Sequence, residues 1–437
     1  MKQIIFICSL FILLQVSFNA NSATNNSRNR NQTDSIKCEI KGSVINRPES
    51  KEAIIIEALR DQRVNKHFRV PIIDGKYSFT LRDDFPRCYS VFFDDEERAG
   101  NIRIRNFYTG NGYVDIISHD KESAEKDSVI SNIKDNDIAK ALSNIDNGRF
   151  NLALQNLYTA RDSLYNNKCA YLTEVDTLIN KINNLKTGEE RDSLRDLLHK
   201  YFRGPKNLCY SPEYLKIDNK IIETHKEKDS FQRKFITENP SLPGLYAIKF
   251  AIFTGGYQDW INIPDYINIF ETCYSPLMQN HPYIDEINTL IAARDVIPGN
   301  KYPDYTVTRE NGTTERIKDL INGKIAVIDL WASWCGPCRR HSKELIPLYE
   351  KYKDNGFTVV AIAREDESCD KMNKAMKQDG YPWESFVDLN DKDKVWRTNN
   401  AGNGGGKIIL VNSEGTIVTT DIPIEEIEKY LTETYGV

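Results

Sequence analysis

The sequence has no strongly basic segment, and this absence argues against a nucleic-acid-binding protein. Its 437 residues include 58 lysines and arginines and 63 acidic residues, for a formal net charge of -5. Phosphate contacts require a basic stripe or block, and none stands out along the chain. We therefore predict no nucleic-acid partner. The apolar and charged fractions, 40% and 28%, are those of a globular protein with room for several domains.

Cysteine is also sparse, and a count of nine in so long a chain excludes a disulfide-rich scaffold. Cys8 lies in the first ten residues, and the others are Cys38, Cys88, Cys169, Cys209, Cys273, Cys335, Cys338 and Cys369. Cys335 and Cys338 form a closely spaced pair. The pairing of the remaining six is open, and we favour Cys38 with Cys88 because both fall in one predicted domain. Zinc would need further ligands, and the nearest candidate, His341, supplies one poor third ligand.

A strongly apolar run lies at the start of the chain. Lys2 precedes this run, which extends from Ile4 to Phe18 and is short for a membrane span. Small residues at positions 20–22 then follow at the spacing of a cleavage site. We therefore predict a signal peptide at residues 1–22 and a polar leader at residues 23–35, so that the mature protein is exported. An uncleaved anchor is the alternative.

Hydrophobic periodicity divides the rest of the chain into three regions. Short alternating runs separated by turn signals predict a small β-sandwich over residues 36–120. Apolar residues at three- and four-residue spacings predict amphipathic helices over residues 121–296. Beyond the Pro298-Gly299 boundary, strands alternate with helices and predict a mixed central sheet flanked by helices over residues 297–437. The predicted fold class is multi-domain, α+β and α/β.

Residues 331–340 carry the clearest chemical signal in the chain. An apolar strand leads into Cys335-Gly336-Pro337-Cys338, and a helical pattern follows. A cysteine at the first turn of a helix faces unpaired backbone N–H groups and the positive end of the helix dipole, which favour its thiolate. Because thiolates attack disulfides, we predict a redox-active disulfide, with Cys335 exposed at the helix cap and Cys338 shielded one turn in. Pro337 removes no needed N–H donor, and Gly336 lets a partner strand approach.

The C-terminal region resembles the TlpA/ResA branch of thioredoxin-fold proteins. The resemblance rests on the strand ending Ala-Ser-Trp-Cys-Gly-Pro-Cys-Arg, on Pro298-Gly299, on the segment 303–307 and on the helix end at 348–352. It implies a thioredoxin fold over about residues 297–437 and a thiol:disulfide oxidoreductase in which Cys335 is the nucleophile and Cys338 resolves the mixed disulfide. The N-terminal β-domain is similar to the leader domain of many exported bacterial members.

Two further residues beside the dithiol are candidates for a role in the reaction. Asp329 interrupts an apolar strand six residues before Cys335. A buried carboxylate is unfavourable unless its pKa rises, and the resemblance implies that this acid helps to move the proton of Cys338. A carboxylate that reaches solvent is the alternative. Trp334 is expected to form part of an apolar docking surface for partner chains, with simple packing as the alternative.

A position that faces the dithiol departs from the pattern of the family. Thioredoxin-fold proteins normally carry a cis-proline facing the dithiol, and here that place falls on Gly406, next to Gly405. A cis peptide before a residue other than proline costs about 2.5 to 4 kcal/mol, so we expect a trans peptide and a mobile loop. Both glycines are expected to lie where substrate binds. The departure leaves metal binding at the dithiol open.

The resemblance implies an exported reductant of the periplasm or cell envelope of a Gram-negative bacterium. Its expected partners are disulfide-bearing or unfolded exported proteins, such as cytochrome c apoproteins, and a membrane electron donor of DsbD type. We expect no cofactor or metal beyond the Cys335–Cys338 disulfide. The main alternative is a redox-inactive or metal-binding protein of the same fold. An exported peroxidase is a weaker alternative, because the single-cysteine motif with threonine is absent.

Overall fold

The computed structural model describes residues 35–436, so the predicted signal peptide and the polar leader up to residue 34 lie outside the described residues. Within residues 35–436, no helix combines the length and the apolar character that crossing a membrane requires.

The N-terminal region consists of two four-stranded sheets. Its strands are β1 Ile36–Ile45, β2 Glu52–Glu57, β3 His67–Pro71, β4 Lys76–Asp83, β5 Cys88–Phe93, β6 Arg105–Tyr108, β7 Gly112–His119 and β8 Ser128–Ser131, with helix α1 Asp94–Arg98 after β5. One sheet has the order β4-β1-β7-β8 and the other the order β3-β2-β5-β6. Because β8 pairs with β7, the first sheet extends past the predicted boundary at residue 120.

Side chains of both N-terminal sheets meet in one buried cluster. Strand β1 alternates buried and exposed residues, so that Cys38 and Ile40 point into the cluster together with Phe93 of the other sheet. Cys88 instead points to the opposite side of its own sheet and packs against the helical region. The favoured bridge between Cys38 and Cys88 is therefore wrong: both cysteines are free and buried, and they face different cores.

The middle region is helical, as predicted. Its helices are α2 Lys134–Asp146, α3 Leu152–Asn166, α4 Thr173–Asn184, α5 Glu189–Arg203, α6 Pro212–Glu238, α7 Leu242–Thr254, α8 Ile263–Ile269, α9 Ser275–Leu277 and α10 Pro282–Ala293. The N-terminus of α6 shows why these boundaries fall where they do. The Ser211 hydroxyl accepts the backbone N–H of Tyr214, and Pro212 occupies the first helical turn, where no N–H donor is needed.

The C-terminal region has the predicted mixed sheet flanked by helices. Its elements are β9 Thr306–Thr308, β10 Thr314–Arg316, α11 Ile317–Ile321, β11 Ile325–Trp331, α12 Gly336–Tyr352, β12 Phe357–Glu365, α13 Asp370–Asp379, β13 Ser385–Leu389, α14 Val395–Thr398, β14 Lys407–Val411, β15 Ile417–Thr420 and α15 Ile424–Tyr435. The main sheet has the order β13-β12-β11-β14-β15. Strand β11 pairs in parallel with β12 and antiparallel with β14, and all of its residues are buried.

A buried cluster of charges joins the three regions. Glu286 of α10 contacts Lys249 of α7 at 2.7 Å and Arg60 of the N-terminal region at 2.6 Å. Arg397 of α14 lies 3.4 Å from Glu286 and donates to the carbonyl oxygen of Leu59 at 3.1 Å. Because buried charges are tolerated only when they are paired, this cluster fixes the packing of the regions against one another.

Candidate active site

The dithiol lies where the central strand β11 gives way to helix α12. Cys335 and Cys338 form a disulfide, and their Cα atoms are 5.3 Å apart. Cys335 is the N-cap of α12, and its Sγ accepts the backbone N–H of Cys338 at 3.3 Å. This sulfur therefore lies at the positive end of the helix dipole, which would favour a thiolate after reduction.

The two cysteines are equally shielded in this disulfide form, with exposed fractions of 6% for Cys335 and 7% for Cys338. The expectation that Cys335 is the more exposed residue is therefore wrong for this state, because both sulfurs face the same cleft. The two residues between the cysteines are more exposed to solvent. Gly336 and Pro337 are exposed, and a Cβ on Gly336 would meet no atom within 4 Å, so this part of the motif is open to a partner.

A cleft of about 620 Å³ runs over the disulfide. It is lined by both cysteines and by residues of β11, of the loop before β14 and of the N-terminal region, including Asp329, Trp334, Gly404, Gly405, Gly406 and Arg63. The predicted site residues are thus brought together in one cavity. Arg63 was not predicted as part of the site.

Asp329 lies beneath the cleft and is only 1% exposed, so the alternative of a carboxylate that reaches solvent is wrong. Burial raises the pKa of Asp329 to about 7, although a hydrogen bond from the Ser342 hydroxyl works in the opposite direction. That hydroxyl donates to Asp329 Oδ2 at 2.6 Å. A group with this pKa can take up and release a proton near neutral pH.

Gly406 faces the resolving cysteine. Its backbone N–H donates to Cys338 Sγ at 3.2 Å. A Cβ at this position would collide with the carbonyl oxygen of Leu330, so the close approach requires glycine. Residues 35–436 contain no cis peptide bond, and Gly406 therefore follows a trans peptide, as expected.

Trp334, next to Cys335, is half-buried, and the guanidinium of Arg63 packs on its ring. The guanidinium carbon of Arg63 lies 3.9 Å from the ring centroid, and the ring of Trp396 lies 5.9 Å away on a tilted plane. Trp334 lines the cleft, whereas Trp396 is buried behind it and does not line the cleft. Trp334 therefore serves as a packing surface for the protein's own N-terminal region in this structure.

Glu365 is a second buried carboxylate at the site that was not predicted. It ends β12, the strand next to β11, and is fully buried. Its carboxylate accepts the backbone N–H of Ser333 at 2.6 Å and the hydroxyl of Ser333 at 2.7 Å. Burial raises the pKa of Glu365, while these two hydrogen bonds oppose the rise. No local signal marks Glu365 in the sequence, because it begins the acidic run Glu365-Asp366-Glu367, which is typical of a solvated loop.

Comparison with known proteins shows what the C-terminal region is similar to. Residues 298–419 match the AhpC/TSA family. The thiol-disulfide oxidoreductase ResA of Bacillus anthracis is 30% identical over 94 residues, which are 22% of this chain and 53% of that protein. ResA of Bacillus cereus is 29% identical over 136 residues, which are 30% of this chain and 76% of that protein.

The C-terminal region is a thioredoxin-like domain. The chain spans about half the length of the first ResA proteins that it matches. Among solved structures, the thioredoxin domain of a Bacteroides vulgatus thiol-disulfide oxidoreductase shares 25% identity, with a TM-score of 0.27, over 31% of this chain and 97% of that one. A thiol:disulfide interchange protein from Bacteroides sp. shares 25% identity, with a TM-score of 0.29, over 32% and 91%.

Proposed function

We propose that this protein is an exported thiol:disulfide oxidoreductase that reduces disulfides of envelope proteins through Cys335 and Cys338. The observation that carries the proposal is the position of Cys335 Sγ at the N-terminus of α12, where it accepts the N–H of Cys338 in an open cleft above the buried Asp329. A helix N-terminus stabilises a thiolate, and a thiolate is the form that attacks disulfides.

The proposed reaction begins with the reduced protein. The Cys335 thiolate attacks one sulfur of the target disulfide, a mixed disulfide forms, and the other target sulfur leaves as a thiolate that takes up a proton. The Cys338 thiolate then attacks Cys335 Sγ, which releases the second target thiol and closes the Cys335–Cys338 disulfide. Two electrons pass to the target, and a dithiol of an external electron donor must later return two electrons.

Asp329 is proposed to serve the second step. Its pKa of about 7, raised by burial, lets the carboxylate accept the proton of the Cys338 thiol close to physiological pH. Asp329 and Cys338 line the same cleft, and Ser342 hydrogen-bonds Asp329 from the same helix as Cys338. The acid would thereby raise the fraction of Cys338 that is present as the attacking thiolate.

The remaining parts of the proposal concern location and partners. The N-terminal sequence pattern supports export, and the proposed destination is the periplasm or cell envelope of a Gram-negative bacterium. In such a compartment the proposed electron donor is a membrane protein of DsbD type, and the proposed targets are oxidised exported proteins, as in cytochrome c maturation. We also propose that the two N-terminal sheets, which share a buried core, form a β-sandwich.

The enzymatic part is tested by insulin reduction with dithiothreitol as the source of electrons. Wild-type protein should accelerate the reduction, and Cys335→Ser should not exceed the uncatalysed rate. Cys369→Ser is the matched control because Cys369 is a free cysteine outside the cleft. Equal rates for wild type and Cys335→Ser would end the proposal.

The partners are identified by trapping. A Cys338→Ala variant should retain its target as a mixed disulfide on Cys335, because the sulfur that resolves this intermediate is missing. Mass spectrometry of complexes that dissociate on reduction would then name the target. The double variant Cys335→Ser/Cys338→Ala should retain nothing.

No observation favours the metal-binding alternative. Among the described residues, no three histidine, cysteine, aspartate or glutamate side chains come together as a set of metal ligands. His341 lines the cleft together with Cys335 and Cys338, but these three side chains do not form such a set.

A further inference from the structure

A loop of the N-terminal region reaches the dithiol cleft of the thioredoxin-like domain. This β2–β3 loop, residues 58–66, connects strand β2, which ends at Glu57, to strand β3, which begins at His67. The carbonyl oxygen of Leu59 accepts hydrogen bonds from Arg397 at 3.1 Å and from the Asn403 amide at 3.3 Å. Asn65 donates to the carbonyl oxygen of Asn390 at 3.2 Å. The loop is thus attached to the thioredoxin-like domain at several points.

Arg63 is the residue of this loop that enters the cleft. Its guanidinium stacks 3.9 Å from the centroid of the Trp334 ring, next in sequence to Cys335. The same guanidinium donates to the carbonyl oxygen of Asn403, which belongs to the glycine-rich loop that ends at Gly406. Arg63 therefore contacts Trp334, the neighbour of Cys335, and the loop whose Gly406 contacts Cys338.

The carboxylate of Asp61 holds the Arg63 guanidinium in place. Two parallel hydrogen bonds join its Nε and Nη2 to the Asp61 carboxylate, at 2.9 Å and 2.8 Å. Asp61 is buried and also accepts from Arg364 of β12 at 3.1 Å. A two-point pair of this kind fixes the plane of the guanidinium, so that it can stack on an aromatic ring.

We propose that Arg63 is a positioning residue of the dithiol site, supplied by the N-terminal region to the thioredoxin-like domain. It holds Trp334 beside Cys335 and the glycine-rich loop beside Cys338, and it places a positive charge on the wall of the cleft. The proposal rests on the proposed oxidoreductase function. It predicts that the site is incomplete without the N-terminal region, because neither contact can be made by residues 297–437 alone.

Replacing Arg63 should have two effects that can be measured separately, one from the loss of its charge and one from the loss of its planar stack. Loss of the positive charge disfavours the Cys335 thiolate and raises the pH at which this cysteine becomes reactive. Loss of the planar stack lets the walls of the cleft move, which slows reaction with a folded or extended protein target. Arg63→Ala removes both features. Arg63→Lys retains the charge but cannot make the two-point pair or the planar stack.

The test uses the full-length mature protein and its Arg63→Ala, Arg63→Lys and Arg69→Ala variants. Arg69 is the matched control because it lies on β3 of the same region and pairs with Glu52 and Glu97 away from the cleft. Insulin reduction is measured with the dithiol recycled by dithiothreitol. The pH profile of iodoacetamide alkylation at Cys335 is measured separately on reduced protein, by mass spectrometry.

Arg63→Ala should lower kcat/KM for insulin about tenfold and shift the alkylation midpoint to higher pH. Arg63→Lys should lower kcat/KM while keeping the wild-type midpoint, and Arg69→Ala should match wild type in both measurements. Wild-type behaviour of Arg63→Ala, or equal losses in Arg69→Ala, would overturn the inference. If wild type reduces insulin no faster than Cys335→Ser, the proposed function fails instead, and the alkylation midpoints still report on Arg63.

Discussion

Gly406 donates its backbone N–H to Sγ of Cys338 over 3.2 Å. Proline has no N–H, so a proline at this position could not make the contact. The chain therefore supplies a hydrogen-bond donor to the resolving sulfur where the family resemblance leads one to expect a proline. Such a donor favours the thiolate form of Cys338 and would assist its attack on the mixed disulfide.

The tight packing around Gly406 predicts the effect of replacing this residue. A Cβ added there would collide with the carbonyl oxygen of Leu330 and would lie 3.1 Å from Cys338 Sγ. Gly406→Ala should therefore lower the free energy of unfolding by about 1 to 3 kcal/mol, as overpacked sites do. Gly404→Ala is the control, because a Cβ there would meet nothing within 4 Å. Chemical unfolding measures both variants, and equal stabilities would contradict the close approach.

Asp329 should make the oxidised protein less stable as the pH rises towards neutrality. Burial raises its pKa from 3.8 to about 7 in the folded state. Below pH 3.8 both states hold the proton and the group has no effect. Between the two pKa values the unfolded state releases a proton that the folded state keeps, so the destabilisation grows with pH and levels off above about pH 7.

Asp329→Asn removes this destabilisation. The variant should be more stable than wild type by up to about 4 kcal/mol at pH 8 and almost unchanged at pH 3. Denaturant unfolding at several pH values measures the difference, and exposed Asp354→Asn is the control. The same variant should form the Cys335–Cys338 disulfide more slowly from the reduced state at pH 7, by at least about tenfold. A pH-independent stability difference would show that Asp329 is ionised in the folded protein.

Local sequence pattern was sufficient to predict the elements that hold the dithiol. The apolar run that leads into the dithiol, the cysteine at the cap and the helical pattern that follows predict the strand and the helix that the structure shows as β11 and α12. These elements are determined by neighbouring residues, so their signals lie in a short window. Strand β1 at Ile36–Ile45 lies at the start of the region that was predicted to consist of strands, and its alternation matches a strand with one buried face.

Contacts between regions were beyond the reach of sequence reasoning. Arg63 is an ordinary surface arginine by its neighbours in the sequence, and its partner Trp334 lies in another domain. Asp61 and Arg364 are 303 residues apart in the sequence and meet where the two regions pack together. Neither hydrophobic periodicity nor residue spacing in the sequence predicts such a contact. The equal shielding of the two cysteines was missed for a related reason, since both sulfurs face a cleft that is built from distant segments.

Glu365 should stabilise the loop that leads into the dithiol. Its carboxylate accepts two hydrogen bonds from Ser333, one from the backbone and one from the hydroxyl. Glu365→Gln replaces one acceptor oxygen with a donor group, which leaves a buried polar atom without a proper partner. We expect a loss of about 1 to 3 kcal/mol in the free energy of unfolding and slower insulin reduction. Exposed Glu428→Gln should change neither, and a Glu365→Gln variant of wild-type stability would contradict the assignment.

Asp61 connects the N-terminal region to the thioredoxin-like domain, and its contribution to the free energy of unfolding should depend on pH. Burial works to raise the pKa of Asp61, but the hydrogen bonds from Arg63 and the charge of Arg364 outweigh it and lower the pKa below 3.8. The stabilisation is therefore complete above pH 4 and is lost as the pH falls through the lowered pKa.

Asp61→Asn leaves Arg63 without its ion-pair partner and leaves Arg364 with Asp391 as its remaining carboxylate partner in the described chain. We expect the free energy of unfolding at pH 7 to fall by about 1 to 3 kcal/mol, and the difference from wild type to shrink in acid. Unfolding at pH 7 and at acid pH measures the change, with exposed Asp162→Asn as the control. A difference that persists unchanged in acid would show that the carboxylate acts through packing rather than through its charge.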